Sequence, residues 1–217
     1  MLHSRNFQLK FDLLFCIFNL IFKSRSNFIF ELNLFFNVII HRDEALSILK
    51  KHCSDDVVEH CVAVSETAVK IAGKIKENGY DMDIDFVEIA SLLHDLGRAK
   101  THGIKHGVRG AEIIRELGRE KGYDKDQIMK ISRVCETHIG AGLTKEDAEE
   151  FGLPVKDYLP ETLEEKVIAH ADNIVFGTRV GSITETIEKL EKKLGRGHPS
   201  IKRISQLSRF IEGISRS

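Results

Sequence analysis

The sequence predicts an all-α helical bundle. Three observations predict it. From Asp43 onward apolar residues recur at three- and four-residue intervals, helix-start and glycine-stop signals punctuate that pattern, and no strand-type alternation runs longer than a few residues. The elements follow in order. Residues 43–51 form a short amphipathic helix. Ser54 with Asp55 and Asp56 opens a second, whose stripe of Val57, Cys61, Val64, Ala68, Ile71 and Ile75 continues to about Lys76. Phe86, Ile89, Ala90 and Leu93 mark a third, with Gly97 as its stop. Gly110, Ile113, Ile114 and Leu117 mark a fourth, with Gly118 as its stop. Ile128, Ile131, Val134 and Cys135 mark a fifth, ending near Gly140. Pro160 precedes a sixth over 161–175, where Leu163, Val167, Ile168, Ala171 and Val175 face inward. Helices over 182–194 and 199–214 close the chain. There is no internal repeat and no coiled-coil heptad.

Length and charge bound the function. The 217 residues are 42% apolar and 30% charged, which suits one globular core and excludes disorder for most of the chain. A net charge of −1 argues against a general nucleic-acid or membrane-surface binder, so an anionic substrate must be met locally. Residues 189–217 depart from that balance, with eight basic and two acidic side chains. Solvated helices account for them. The second reading is a surface that gathers a nucleotide or an RNA terminus. Cys16, Cys53, Cys61 and Cys135 form no Cys-x-x-Cys pair and no secreted framework, which implies reduced thiols and a cytoplasmic protein. Ten histidines direct attention to metal or proton chemistry.

The chain divides into an apolar extension at 1–40 and a helical domain at 41–217. The first 40 residues hold nine of the thirteen phenylalanines but only six charged residues. The runs 11–22 and 28–40 give no stable transmembrane span. Twelve helical residues reach about 18 Å against a hydrocarbon core of about 30 Å, and Asp12 and Glu31 are costly inside it. Three readings stay open for this extension: a stretch outside the functional protein with Val38 as the start, a membrane-surface or partner-docking element, and packed core.

Several polar residues sit where core residues belong. His60 lies three after Val57 and four before Val64. His94 follows Ala90 by four, with Asp95 beside it. His106 precedes Gly110 by four, His138 follows Val134 by four, and Asp172 follows Ile168 by four. Each alone has an ordinary structural explanation, as a hydrogen-bonded core histidine or a paired acid. Four inward histidines and two inward acids together favour a divalent metal. Imidazole and carboxylate without thiolate suit Fe, Mn, Co, Ni or Zn in an open, water-bearing site.

His60, then LLHDLG around His94-Asp95, then HADNIV around Asp172, resembles the HD-domain metal-dependent phosphohydrolase superfamily over about residues 55–180. HDLGRAK looks like the HDIG-type variant. HGVRGAEII and ETHIGAG look like the histidine segments of its binuclear subgroups. The resemblance implies an HD-type helical bundle in which His60, His94, Asp95 and Asp172 hold one metal. Asp95 then bridges to a second held by His106 and His138, with His102, one turn earlier, competing for the place of His106.

Two adjacent divalent cations lower the pKa of a shared water and neutralise phosphate charge, so the implied activity is phosphoester hydrolysis of a nucleotide-like or cyclic substrate. Asp95 and Arg98 are the catalytic candidates. Arg98, Lys100, Lys105 and Arg109 follow the His-Asp pair closely enough to hold phosphate oxygens, an ordinary solvated face being the other reading. Alternatives are a deoxynucleoside triphosphate hydrolase and a non-catalytic nucleotide or metal sensor. Neither a Gly-x-Ser-x-Gly turn nor a P-loop is present.

Overall fold

The apolar stripe that begins at Val57 becomes the axis of the molecule. In the computed structural model, which describes residues 38–216, it lies on the 23-residue helix α2. Cys61, Val64, Ala68, Ala72 and Ile75 along it are fully buried, and α2 packs against its neighbours on both sides. The helices are α1 Arg42–His52, α2 Asp55–Glu77, α3 Ile84–Leu93, α4 His106–Lys121, α5 Lys125–Thr137, α6 Lys145–Glu150, α7 Leu163–Ile174, α8 Ile183–Leu194 and α9 Pro199–Ser215. A 3-10 turn at Leu96–Ala99 follows α3, and a small hairpin of β1 Val175–Phe176 and β2 Arg179–Val180 follows α7. The architecture is all-α apart from that hairpin. Residues 1–37, with the first apolar run, His3 and Cys16, lie outside the described residues.

Side-chain caps set the helix starts, because the first backbone N–H groups of a helix lack partners within it. Asp83 accepts from Phe86 N, Asp124 from Gln127 N, Thr162 from Glu165 N and Ser182 from Glu185 N. Thr144 and Asp147 make a reciprocal capping box on α6. This six-residue helix is absent from the sequence reading, since its Lys-Glu-Asp-Ala-Glu-Glu run has almost no apolar periodicity. The Thr-x-x-Asp pattern was its available signal.

Two of the expected glycine stops are corrected. Gly118 lies inside α4, which ends at Gly122 with φ +69°. A Cβ on Gly118 would meet Ile128 Cγ1 at 2.9 Å, so this glycine lets α4 and α5 cross closely. Gly97 does not terminate α3 either, which stops at Leu93. It sits in the 3-10 turn, where a Cβ would lie 1.9 Å from the His106 carbonyl oxygen.

Most of the core forms one cluster shared by α1–α5, α7 and α9. A smaller cluster of Leu143, Ala148, Leu153 and Tyr158 packs under the α5–α7 connection against Ile104 and Val108, beside the start of α4. Ahead of α1, Ile40 is fully buried and Gln127 holds its backbone at both N (2.7 Å) and O (2.8 Å). Among the described residues no helix is long and apolar enough to cross a membrane.

Candidate functional site

Five helices deliver six polar side chains to one place. His60 comes from α2, His94 caps the C-terminus of α3 with Asp95 next to it, His106 begins α4, His138 caps α5, and Asp172 lies in the last turn of α7. Carbonyls at helix ends lack intrahelical donors, and the histidines use them. His94 Nδ1 lies 2.6 Å from Ser91 O and His138 Nδ1 2.8 Å from Cys135 O. His106 makes the same bond three residues back, to Gly103 O at 2.8 Å. His60 instead uses a distant carbonyl, that of Gly177 in the hairpin turn, at 3.0 Å. A carbonyl only accepts, so each Nδ1 carries the proton and each Nε2 is left as the electron-pair donor.

Those four Nε2 atoms converge on two carboxylates. Asp95 Oδ1 lies 3.1 Å from His106 Nε2 and 3.4 Å from His138 Nε2. Its Oδ2 lies 3.7 Å from His94 Nε2 and 3.8 Å from His60 Nε2. Asp172 Oδ1 is 3.1 Å from His60 and 3.5 Å from His94. Asp95 thus faces two histidine pairs, one through each oxygen. His94 and Asp95 are fully buried, whereas the side chains of His60 and Asp172 remain 18% and 21% exposed, so the cluster opens to solvent on their side.

Burial opposes charge on Asp95, yet the adjacent imidazoles His94, His106 and His138 hold its carboxyl well below the usual range. Asp172 is lowered in the same way by His60 and His94, again against its burial. His94 is raised well above an ordinary histidine: burial works against its charge, but the Asp95 carboxylate and the nearby Asp172 outweigh it. Burial lowers His138. Cys61 and Cys135 are buried beside the histidines, and burial pushes the Cys135 thiol up to about 12.

This geometry fits divalent cations. His94 Nε2 and Asp95 Oδ1 are buried without a hydrogen-bond partner, a costly condition that a cation relieves. Three overlapping groups, His60-His94-Asp95, His94-His138-Asp172 and Asp95-His106-His138, each keep their candidate ligand atoms within 4.8 Å of one another.

The remaining sequence candidates divide. Arg98 is at the cluster, its Nε bonded to Asp95 Oδ2 and its side chain 30% exposed. Lys100 and Arg109 line a cleft of about 440 Å³ with Glu112, Ile113 and Glu116, whose walls include none of the six clustered residues. Arg109 is committed to Glu112 at 2.6 Å. Lys105 and His102 are exposed, in contrast to the buried His106. Two supports escaped the sequence reading. One is the Gly177 carbonyl behind His60. The other is Asn173, whose Nδ2 donates to Gly140 O (2.6 Å) and Ala169 O (2.8 Å), tying the Asp172 helix to the loop after His138. A polar Asn next to an inward Asp was the available hint for the second.

The HD domain family model matches residues 57–176, a span that contains all six clustered residues. An uncharacterized protein of Methanocaldococcus jannaschii is 56% identical over 172 residues, covering 79% of this chain and 97% of that one. Proteins named tRNA (cytidine(56)-2'-O)-methyltransferase from Picrophilus torridus and Thermoplasma volcanium are 39% and 36% identical. Those alignments cover 79% and 82% of this chain but 46% and 48% of the relatives, so the chain spans about half their length. Among solved structures, a "predicted HD superfamily hydrolase" from an uncultured Thermotogales bacterium is 21% identical with a TM-score of 0.46, covering 84% of this chain and 93% of that one. The HD domain of the L. monocytogenes phosphodiesterase PgpH is 18% identical with a TM-score of 0.44, covering 79% and 99%. By the extent of the family match, this chain belongs to the HD-domain family, the superfamily of metal-dependent phosphohydrolases that its ordered histidines and acids resemble.

Proposed function

We propose that the protein is a metal-dependent phosphohydrolase that cleaves a nucleotide-like or cyclic phosphoester with a metal-activated water. The observation that carries this reading is the convergence of four backbone-anchored imidazoles, each with Nε2 free to ligate, on the two carboxylates Asp95 and Asp172. One cation would be held by His60, His94, Asp95 and Asp172, and a second by Asp95, His106 and His138. The burial of His106 and the exposure of His102 support His106 as the ligand of the pair.

When bound, two such cations lower the pKa of a shared water and offset the charge of a phosphate. The chain's own residues supply the rest. Asp95 presents one oxygen to each half of the cluster, and its position is fixed by Arg98. The Arg98 guanidinium, 30% exposed beside Asp95, is the cation available to a nonreacting phosphate oxygen. Cys61 and Cys135 supply no nucleophile, since burial keeps both thiols protonated at neutral pH. The attacking oxygen therefore comes from water, entering where His60 and Asp172 are exposed. Lys100 and Lys105 serve as an outer cationic rim for the substrate's other charges, and Arg109 joins it only by leaving Glu112. The relatives named for a tRNA methyltransferase support a nucleotide or RNA phosphoester within the substrate class.

The test is metal analysis of the purified protein, followed by hydrolysis of bis-p-nitrophenyl phosphate and of a nucleotide and RNA-end panel with Mn or Fe. Metal-dependent turnover that disappears in Asp95→Ala is expected. Turnover persisting in that variant would sink the assignment, and an inactive wild type that binds nucleotide tightly would make it a sensor.

A further inference from the structure

The α8–α9 elbow carries a local excess of positive charge. Residues 192–202 contain Lys192, Lys193, Arg196 and Lys202 and no carboxylate. All four are exposed, and Arg196, 90% exposed, only loosely approaches Glu191 at 3.8 Å. The helix dipole explains Lys192 and Lys193, which lie in the last turn of α8 where cations are favoured. It does not explain Lys202, in the first turn of the 17-residue α9, where a cation is disfavoured and no acidic residue compensates. Gly195 and Gly197 between the helices have φ of +88° and +83°, and a Cβ on either would meet nothing within 4 Å. The elbow backbone is therefore open to close approach.

Helix α8 connects this elbow to the hairpin beside the clustered histidines. Lys189, Lys192 and Lys193 are exposed at spacings of three and four along α8, flanking its inward Thr186 and Leu190, and Glu185 and Glu188 lie four residues before Lys189 and Lys192. Lys189 Nζ lies 3.7 Å above the Phe176 ring, and Arg179 and Lys189 both contact Glu185. Phe176 and Arg179 belong to the hairpin whose Gly177 carbonyl orients His60. Twelve residues of α8 separate hairpin from elbow by about 18 Å.

We propose that this elbow docks the phosphate backbone of single-stranded RNA whose end enters the His/Asp cluster. The inference rests on the phosphoester reading above and narrows it from free nucleotides to the end of a polynucleotide. A chain with net charge −1 does not attract RNA as a whole, so the docking is local.

Fluorescence anisotropy with a labelled 12-nucleotide RNA measures binding without requiring turnover. Four phosphate contacts on a single strand predict a log–log salt slope of about −2.8, which is about 50-fold weaker binding at 200 mM than at 50 mM salt. The combined Lys192→Glu, Lys193→Glu, Arg196→Glu variant is expected to lose at least about tenfold in affinity and most of that slope. A charge-matched control, Lys50→Glu, Lys70→Glu, Lys125→Glu, is expected to bind within about twofold of wild type. Equal losses in both variants, or a wild type with no salt-dependent RNA binding, would overturn the proposal. So would tighter binding to phosphatidylserine vesicles, or to DNA of the same sequence. Each of these results leaves hydrolysis of bis-p-nitrophenyl phosphate as a separate readout, so failure of docking is distinguishable from failure of the hydrolase reading.

Discussion

His106 and His138 face each other Nε2 to Nε2 at 3.0 Å, and each has already committed its Nδ1 proton to a backbone carbonyl. Two electron pairs at that separation repel unless a positive charge lies between or beside them. Removing one member therefore removes a repulsion and a ligand together. His138→Ala is expected to cut phosphodiester hydrolysis at least about 100-fold. It should lower bound metal from about two equivalents to about one while leaving metal-free stability within about 1 kcal/mol. Elemental analysis and urea denaturation read the two effects separately, and an undiminished metal content would refute the binuclear arrangement.

In the metal-free protein the nearby carboxylates raise His94 despite its burial, which favours a second proton, on its Nε2. A cation on Nε2 displaces that proton. Metal loading at pH 7 should therefore release on the order of one proton per chain, and the release should vanish above the raised pKa, where His94 is already neutral. Titration calorimetry in two buffers of different ionisation enthalpy measures it. Identical heats in both buffers at pH 7 would contradict the displacement.

The glycines of α2 and of the 3-10 turn should respond oppositely to the same substitution. Gly97→Ala drives a Cβ into the His106 carbonyl, and a backbone obstacle cannot step aside, so a loss above about 3 kcal/mol is expected. Gly73→Ala, inside α2 with nothing within 4 Å of the new methyl, should gain about 0.5–1 kcal/mol. Chemical denaturation of both variants checks the contrast, which disappears if the turn can shift.

Glu165, only 4% exposed, holds both Arg133 Nε and Glu161 N at 2.6 Å. Glu165→Ala should cost about 2 kcal/mol, less than for a fully buried pair because Arg133 is more than a third exposed. A change within experimental error in urea midpoint would show that solvent replaces both bonds.

The helical class was legible because inward stripes such as Val57, Cys61 and Val64 are long, and the six clustered residues stood out because polar groups on those stripes are rare. The rest depended on tertiary partners. A glycine that permits close approach, as Gly118 does against Ile128, reads the same in one sequence as a glycine that ends a helix. A hairpin of two-residue strands is too short to alternate visibly. His102 and His106 were equal in spacing, and only the packing of α4 buries one of them. The Arg133–Glu165 pair spans 32 positions and leaves no local trace.

His60 meets Asp172 across 112 positions and Gly177 across 117. Closing so long a loop is entropically slow, and chains emerge from the ribosome amino end first. A partly synthesised polypeptide that stops before α7 therefore has its imidazoles but neither the second acid nor the carbonyl that aims His60. The Asp95, His106 and His138 group precedes α7 in the chain, so the carboxy-terminal third completes only the half of the cluster built on His60, His94 and Asp172.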